Sequence, residues 1–398
     1  MLPLASLYTD YVIPTYGRFD LDIARGSGCR VWDGEGGEYL DFGAGIAVCS
    51  LGHAHPEITK AVTEQAATLV HTSNLYRTAP QAHLARRLVE LTGSGKVFFC
   101  NSGAEANEGL IKLARKFGSE SGRHEMITFQ NSFHGRTMAG ISATAQEKIK
   151  KGFAPLLEGF VHVPYRDLAA VTAAIGPRTA AILVEAVQGE GGIHVATPEF
   201  LRGLREICDE RDLLLFFDEI QCGLGRTGDW CGWRSLDPGV QPDGVSWAKG
   251  IANGFPLGAF WASSSRGLCD LLGPGTHGTT YGGNPVCCAA GLKVLEIVER
   301  DRCRQNASVQ GVRLRDGLLA LGSPAIREVR ALGLMVGFEL DGAGEANVAI
   351  PFVKRLMAGG LLAVPAGERV VRLLPPLNVT NREIDEALEK IGKAFQGN

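Results

Sequence analysis

The sequence predicts an α/β fold: a large domain with a mostly parallel sheet flanked by helices, and a small α+β domain drawn from both ends of the chain. Three observations predict it. Between about residues 95 and 290, short apolar runs alternate with helical stretches, the βαβ pattern of a parallel sheet. The run Leu213-Leu214-Leu215-Phe216-Phe217 is apolar without alternation, as a strand buried on both faces requires. The first 45 and last hundred residues instead read as short strands, turns and a few helices. The expected division is 1–45 and 291–398 for the small domain and 46–290 for the large one.

In chain order, Arg30-Val31-Trp32 and Tyr39-Leu40-Asp41-Phe42 flank the turn-rich Asp33-Gly34-Glu35-Gly36-Gly37 and read as a hairpin. A helix is expected over 56–69. Strands are expected at 97–100, 126–129, 160–163, 181–185, 213–217, 244–248 and 259–262. Thr197-Pro198-Glu199 starts a helix with a cap and a first-turn proline. Another helix runs from Pro285 to about Arg300. Toward the end, 332–340 reads as one strand and 350–358 as a helix. Residues 370–376 read as an extended stretch closed by Pro375-Pro376. A last helix over 380–395 is capped by Thr380 or Asn381.

The chemistry collects where these strands end. Leu213–Phe217 runs into Asp218-Glu219-Ile220-Gln221, and Gly244–Ala248 runs into Lys249-Gly250. Open α/β sheets bind ligands beyond the carboxyl ends of their strands. An Asp and a Lys there suit pyridoxal phosphate (PLP), which needs an amine for its aldehyde and an acid for its ring nitrogen. At ~4 Å and an effective dielectric near 20, the carboxylate favours the protonated ring by roughly 4 kcal/mol. The competing reading is a turn-capping Asp and a solvated Lys.

Four further stretches qualify. Val97–Cys100 leads into Asn101-Ser102-Gly103-Ala104-Glu105-Ala106-Asn107 and a helix, whose unpaired first N–H groups can cradle a phosphate. A plain Ser102-capped turn is the alternative. Phe133-His134-Gly135-Arg136 offers a ring to stack on a cofactor and a fork for a carboxylate, or only a core Phe and a surface Arg. Glu190, in the glycine-rich loop Gln188–Gly192, needs a partner if buried. His277-Gly278-Thr279-Thr280-Tyr281-Gly282-Gly283-Asn284-Pro285 could bring hydroxyls and N–H groups to a phosphate.

Other classes are disfavoured. Gly223-Leu224-Gly225-Arg226-Thr227-Gly228 matches the dinucleotide fingerprint G-x-G-x-x-G, but the residues that follow do not read as a helix. The segment more simply shapes a loop at the cleft. His53-Ala54-His55 lacks further ligands at a matching spacing, so no metal is expected. A net charge of −3 without a basic run gives no reason to expect nucleic acid or a membrane surface. No apolar stretch approaches a membrane span, and Met1–Ser6 has no signal-peptide pattern. The ten cysteines form no C-x-x-C pair, and several lie in apolar runs. They read as reduced, which together with the missing signal points to the cytoplasm.

Joined, these motifs resemble the class III, ω-type, PLP-dependent aminotransferases of fold type I, over nearly the whole chain. The resemblance implies that Lys249 carries the cofactor and shuttles the proton, Asp218 pairs the pyridine nitrogen, and Gln221 lies near the phenolic oxygen. It implies that Ser102, Gly103 and Ala104 bind phosphate and that Phe133 stacks on the ring. His134, Glu219 and Ile220 belong to the same cofactor-binding set. Thr280 would reach the phosphate of the neighbouring subunit in a homodimer or larger assembly, with sites shared across the interface. Arg136 would bind a substrate carboxylate, with Thr279 near the substrate. Two positions depart from the family pattern: Ala104 stands where many relatives have Thr, and Ala186 where Pro commonly follows Glu185.

Less specific text points to members acting on N2-acetyl-ornithine. It comprises His71-Thr72-Ser73-Asn74-Leu75-Tyr76, Gln146-Glu147-Lys148 and Arg372-Leu373-Leu374-Pro375-Pro376-Leu377. The implied reaction passes the terminal amino group to 2-oxoglutarate, giving glutamate and an aldehyde for arginine synthesis. Succinylornithine, ornithine, 4-aminobutyrate or an aminoacyl-lysine are alternative donors, and an aminomutase is a more distant one. Such a site must accept a donor with no carboxylate at its reacting end as well as glutamate, which has one. Arg372 is expected to take that second carboxylate, with Glu190 as its counter-ion in the meantime.

Overall fold

The computed structural model describes residues 3–342 and 344–396. Three strands open the chain after a short helix, Leu4–Tyr11: β1 (Ile23–Ser27), β2 (Arg30–Asp33) and β3 (Glu38–Asp41). Next come β4 (Gly95–Cys100), β5 (Glu125–Phe129), β6 (Phe160–Val163), β7 (Thr179–Val184), β8 (Val187–Gln188) and β9 (His194–Val195). They are followed by β10 (Leu214–Asp218), β11 (Gly244–Trp247) and β12 (Gly258–Ser263). The C-terminal part adds β13 (Ile326–Leu332), β14 (Met335–Leu340), β15 (Leu361–Leu362), β16 (Val364–Ala366) and β17 (Val370–Leu373).

The main sheet has seven strands in the order β4-β12-β11-β10-β7-β5-β6. It is parallel except for β12, which runs antiparallel to both neighbours. Every residue of β7, β10 and β11 is buried, as their unbroken apolar character requires. Side chains alternate between the faces: Phe217 enters one apolar core, Phe216 the other.

Helices cover both faces. Pro198–Glu210 starts where Thr197 Oγ1 accepts the Phe200 N–H, and it turns Phe200, Leu201, Leu204 and Cys208 inward. Gly103–Gly118 buries Ala106, Leu110, Ile111 and Ala114 in the same way. The closing helix, Asn381–Gln396, has a reciprocal cap. Thr380 Oγ1 accepts from the Glu383 N–H, and the Glu383 carboxylate accepts from the Thr380 N–H.

Two smaller four-stranded sheets complete the molecule. One has the order β1-β2-β3-β15, so Leu361–Leu362 pairs with the N-terminal hairpin; the other has the order β13-β14-β17-β16. The single strand expected over 332–340 is in fact the end of β13, a turn and β14. Gly333, at φ 53°, makes the reversal. This turn carries no polar signal because it packs against the backbone: a Cβ on Gly333 would lie 2.5 Å from the Thr227 carbonyl carbon. Residues 188–192, read as a loop, close a short β8–β9 hairpin. Helix Pro285–Arg300 spans position 290, and Arg302, at φ 53°, separates it from the next helix, Cys303–Ala320.

Arg226 is not at the cleft. It is buried, and its Nη1 donates to the carbonyls of Leu334 and Pro375, tying the large sheet's connections to the small sheet. The residues after Gly223–Gly228 are turns up to β11. His53 Nε2 lies 2.7 Å from Asp41 Oδ2. Among the described residues, no helix is long and apolar enough to cross a membrane, and no group of three His, Cys, Asp or Glu is placed to hold a metal. All ten cysteines are free.

Candidate active site

Strands β10 and β11 are adjacent and parallel, with Asp218 opposite Ser246, so Asp218 and Lys249 leave the sheet side by side. They meet in a cavity of about 360 Å³. Asp218 is 3% exposed, and its carboxylate is fully engaged. Asn107 Nδ2 donates to Oδ2 at 2.8 Å, His134 Nδ1 lies 2.8 Å from the same oxygen, and the Ile220 N–H donates to Oδ1 at 3.1 Å. Asn107 is fixed in turn, since its Oδ1 accepts from Ser246 Oγ at 2.7 Å. The carboxylate therefore has one orientation, set by helix Gly103–Gly118 and β11 together.

Lys249 sits at φ 45°, a left-handed conformation that costs a non-glycine residue about 1–3 kcal/mol and clusters at functional sites. Burial pulls its amine below the ordinary lysine value. Glu190 opposes that shift, while Arg372 adds to it. Glu185 also lines the cavity, and its Oε2 accepts the Phe133 N–H at 3.2 Å. Burial, then the neighbouring Asp218, push its carboxyl well above the usual range.

At one end of the cavity is the N-terminus of helix Gly103–Gly118, with Ser102, Gly103 and Ala104 in its wall. Ser102 caps this helix, its Oγ accepting the Glu105 N–H at 3.2 Å. Gly103 allows the close approach of Ile220: a Cβ there would come within 2.8 Å of Ile220 Cδ1. Phe133 and Arg136 line another wall, with the Arg136 guanidinium 5.2 Å from the ring centre.

Arg372, 1% exposed, stands behind the cavity wall. Its Nη2 lies 2.9 Å from Glu190 Oε1 and donates to the Pro365 carbonyl at 3.1 Å; its Nη1 donates to Gln221 Oε1 at 3.3 Å.

Besides Arg372, three expected residues do not line this cavity: Glu219, Thr279 and Thr280, the last of which was expected at the neighbouring subunit's phosphate. Glu219 points away from the cavity and accepts the N–H groups of Gly232 and Trp233, at 2.6 and 3.2 Å. Side chains alternate at the end of β10, so Asp218 and Glu219 cannot face the same way. Thr280 is exposed, and Thr279 Oγ1 accepts from Nδ2 of the cavity residue Asn101 at 3.2 Å. Asn107 and Glu185 are the residues that sequence reasoning left without a role. The available signal was a polar Asn on the apolar face of an amphipathic helix.

A family model described as Aminotransferase class-III matches residues 11–395. The chain belongs to the class-III aminotransferases. It is 47% identical to the acetylornithine aminotransferase of Caldanaerobacter subterraneus subsp. tengcongensis, over 95% of each chain. With that of Methanocaldococcus jannaschii it shares 43% identity over 97% of this chain and 96% of the other. Among solved structures, the ornithine aminotransferase of Toxoplasma gondii ME49 superposes with a TM-score of 0.93 at 33% identity, covering 98% and 94% of the two chains. The N-acetylornithine aminotransferase of Stenotrophomonas maltophilia K279a gives 0.84 at 36%, covering 99% and 98%.

The donor set of this class-III aminotransferase fits pyridoxal phosphate. A lysine amine, a clamped carboxylate and a helix N-terminus converge on one cavity, and Phe133 supplies an aromatic wall. The cavity volume suits a compact ligand.

Proposed function

We propose that this class-III aminotransferase moves the terminal amino group of N2-acetyl-L-ornithine to 2-oxoglutarate, giving N-acetyl-L-glutamate 5-semialdehyde and L-glutamate. The observation that carries it is the Glu190–Arg372 pair at the cavity wall, 2.9 Å apart. A resident counter-ion lets one site accept an uncharged chain and a dicarboxylate in turn. The names of the relatives at 43–47% identity support the same donor.

Pyridoxal phosphate, when bound, supplies an electron sink for the carbanion formed at the amine-bearing carbon. Lys249 Nζ would hold the cofactor's aldehyde and, as a free amine once substrate is bound, would take the proton from the amine-bearing carbon. Asp218, oriented by Asn107 and His134, keeps a proton on the ring nitrogen. The N–H groups of Gly103 and Ala104, with Ser102, take the phosphate. Phe133, Ile220 and Gln221 line the same cavity and would help to hold the ring. Arg136 holds the substrate's distal carboxylate as a fork, with Thr279 beside it.

The division into domains belongs to this proposal: 1–45 and 291–398 form the small domain, supported by the pairing of Leu361–Leu362 with β3, and 46–290 the large one. So does a cytoplasmic enzyme of arginine synthesis. A donor screen with 2-oxoglutarate as acceptor tests the substrate. Acetylornithine is expected to give the highest kcat/KM. Succinylornithine, whose acyl chain carries an additional carboxylate, should follow with a lower kcat/KM. Preference for ornithine or 4-aminobutyrate would overturn the assignment.

The exposed Thr280 fits a homodimer with shared sites, in which it serves the partner's phosphate. Mixed dimers of Lys249→Ala and Thr280→Ala chains should then contain one site with both defects and one with neither. Activity should return on subunit exchange, and no recovery after verified exchange would count against sharing.

A further inference from the structure

Two arginines flank one glycine across the second small sheet. Arg330 of β13 lies opposite Gly337 of β14, and Gly337 lies opposite Arg372 of β17. Directly opposed residues of antiparallel strands project to the same face. Arg330 and Arg372 therefore stand on one face, with a gap between them where Gly337 has no side chain.

The β8–β9 hairpin fills that gap. Ile193 lies over Gly337 so closely that a Cβ there would come within 2.8 Å of Ile193 Cγ1. On one side of it, the Gly192 carbonyl accepts from Arg330 Nε at 2.9 Å. On the other, Glu190 pairs with Arg372 at 2.9 Å. Arg330 is itself anchored, its Nη1 paired with Glu328 and, at 2.8 Å, with Glu339. Ile193 holds φ 59°, unfavourable for a β-branched residue, so the hairpin tip keeps this shape only while something holds it.

We propose that Arg330 is a positioning residue for donor selectivity: by pinning the hairpin backbone at Gly192, it places Glu190 on Arg372 without touching substrate. The proposal rests on the counter-ion reading of the Glu190–Arg372 pair. With the backbone pinned, Glu190 leaves and returns by rotating its side chain, and the hairpin stays seated. If the pin is lost, Glu190 pairs less often, Arg372 stands unpaired beside an uncharged donor, and a dicarboxylate meets less competition.

The test compares Arg330→Met, Gly337→Ala, Glu190→Ala and the Arg330→Met/Glu190→Ala double variant with the parent holoenzyme. Gly337→Ala lifts Ile193 without altering a charge, so it carries the test should Arg330→Met fail to fold. Single-turnover rates are measured with glutamate and with acetylornithine. Binding of glutarate, a dicarboxylate with no amine to react, is measured by calorimetry. Arg330→Met and Gly337→Ala should each raise the glutamate-to-acetylornithine rate ratio about tenfold and tighten glutarate binding. The double variant should match Glu190→Ala, because both changes act through one contact. Equal losses with both donors, or additive shifts in the double variant, would overturn the proposal. A shift in Glu190→Ala with none in Arg330→Met and Gly337→Ala would overturn it alone. No shift in Glu190→Ala would overturn the counter-ion reading and the proposal with it.

Discussion

Lys249→Ala is expected to lower turnover by at least about 10⁴-fold, the upper range for loss of a positioned acid–base group. Lys249 is the cavity's lysine, at the end of β11, in a strained left-handed conformation that aims it beside Asp218. Burial lowers its amine's affinity for a proton, which suits it to attach an aldehyde and to accept a proton from carbon. Alanine removes both capacities. Borohydride treatment of the parent should fix the cofactor on the Lys249 peptide, and the alanine variant should give no such adduct. Asp218→Asn should lose about 10³-fold, since roughly 4 kcal/mol of attraction for a ring proton disappears at ~1.4 kcal/mol per decade. An adduct on another lysine, or a Lys249→Ala enzyme within tenfold of the parent, would defeat these assignments.

The parts of the fold legible in the sequence were those where burial leaves a simple pattern. Leu214–Asp218 is apolar on both faces because helices cover both, and it ends on a charge because the strand ends at a crevice. The β13–β14 turn was illegible for the opposite reason. Gly333-Leu334 docks against the Arg226–Thr227 backbone, so the turn has no need of the polar residues that mark a solvated reversal. Asn107 was hidden by its helix: spacing shows which face it occupies, but nothing local shows that this face meets Asp218 across the sheet. Glu219 misled because adjacency in sequence is opposition in a strand. The nearness of Arg330 to Glu190 depends on strand register, which one sequence does not disclose.

The Glu190–Arg372 pair leads to an asymmetric result. Arg372 is 1% exposed, so it needs an anion at every stage. Removing one partner of a buried pair typically costs ~3–5 kcal/mol. While acetylornithine occupies the cavity, Glu190 is that anion; when glutamate arrives, its carboxylate beside the reacting amine takes over. Glu190 can yield because it is 28% exposed and belongs to a hairpin at the cavity wall, whereas Arg372 is fixed by Pro365 and Gln221. Arg372→Ala should therefore slow the glutamate half-reaction by about 10²- to 10³-fold and the acetylornithine half-reaction far less. Glu190→Ala should do the reverse. The acetylornithine half-reaction should fall about tenfold or more, because Arg372 is left without a counter-ion, while a dicarboxylate meets an always-free cation. Single-turnover absorbance changes with each donor separate the two halves. Equal losses with both donors in both variants would sink the exchange of partners and leave the pair a fixed structural bridge.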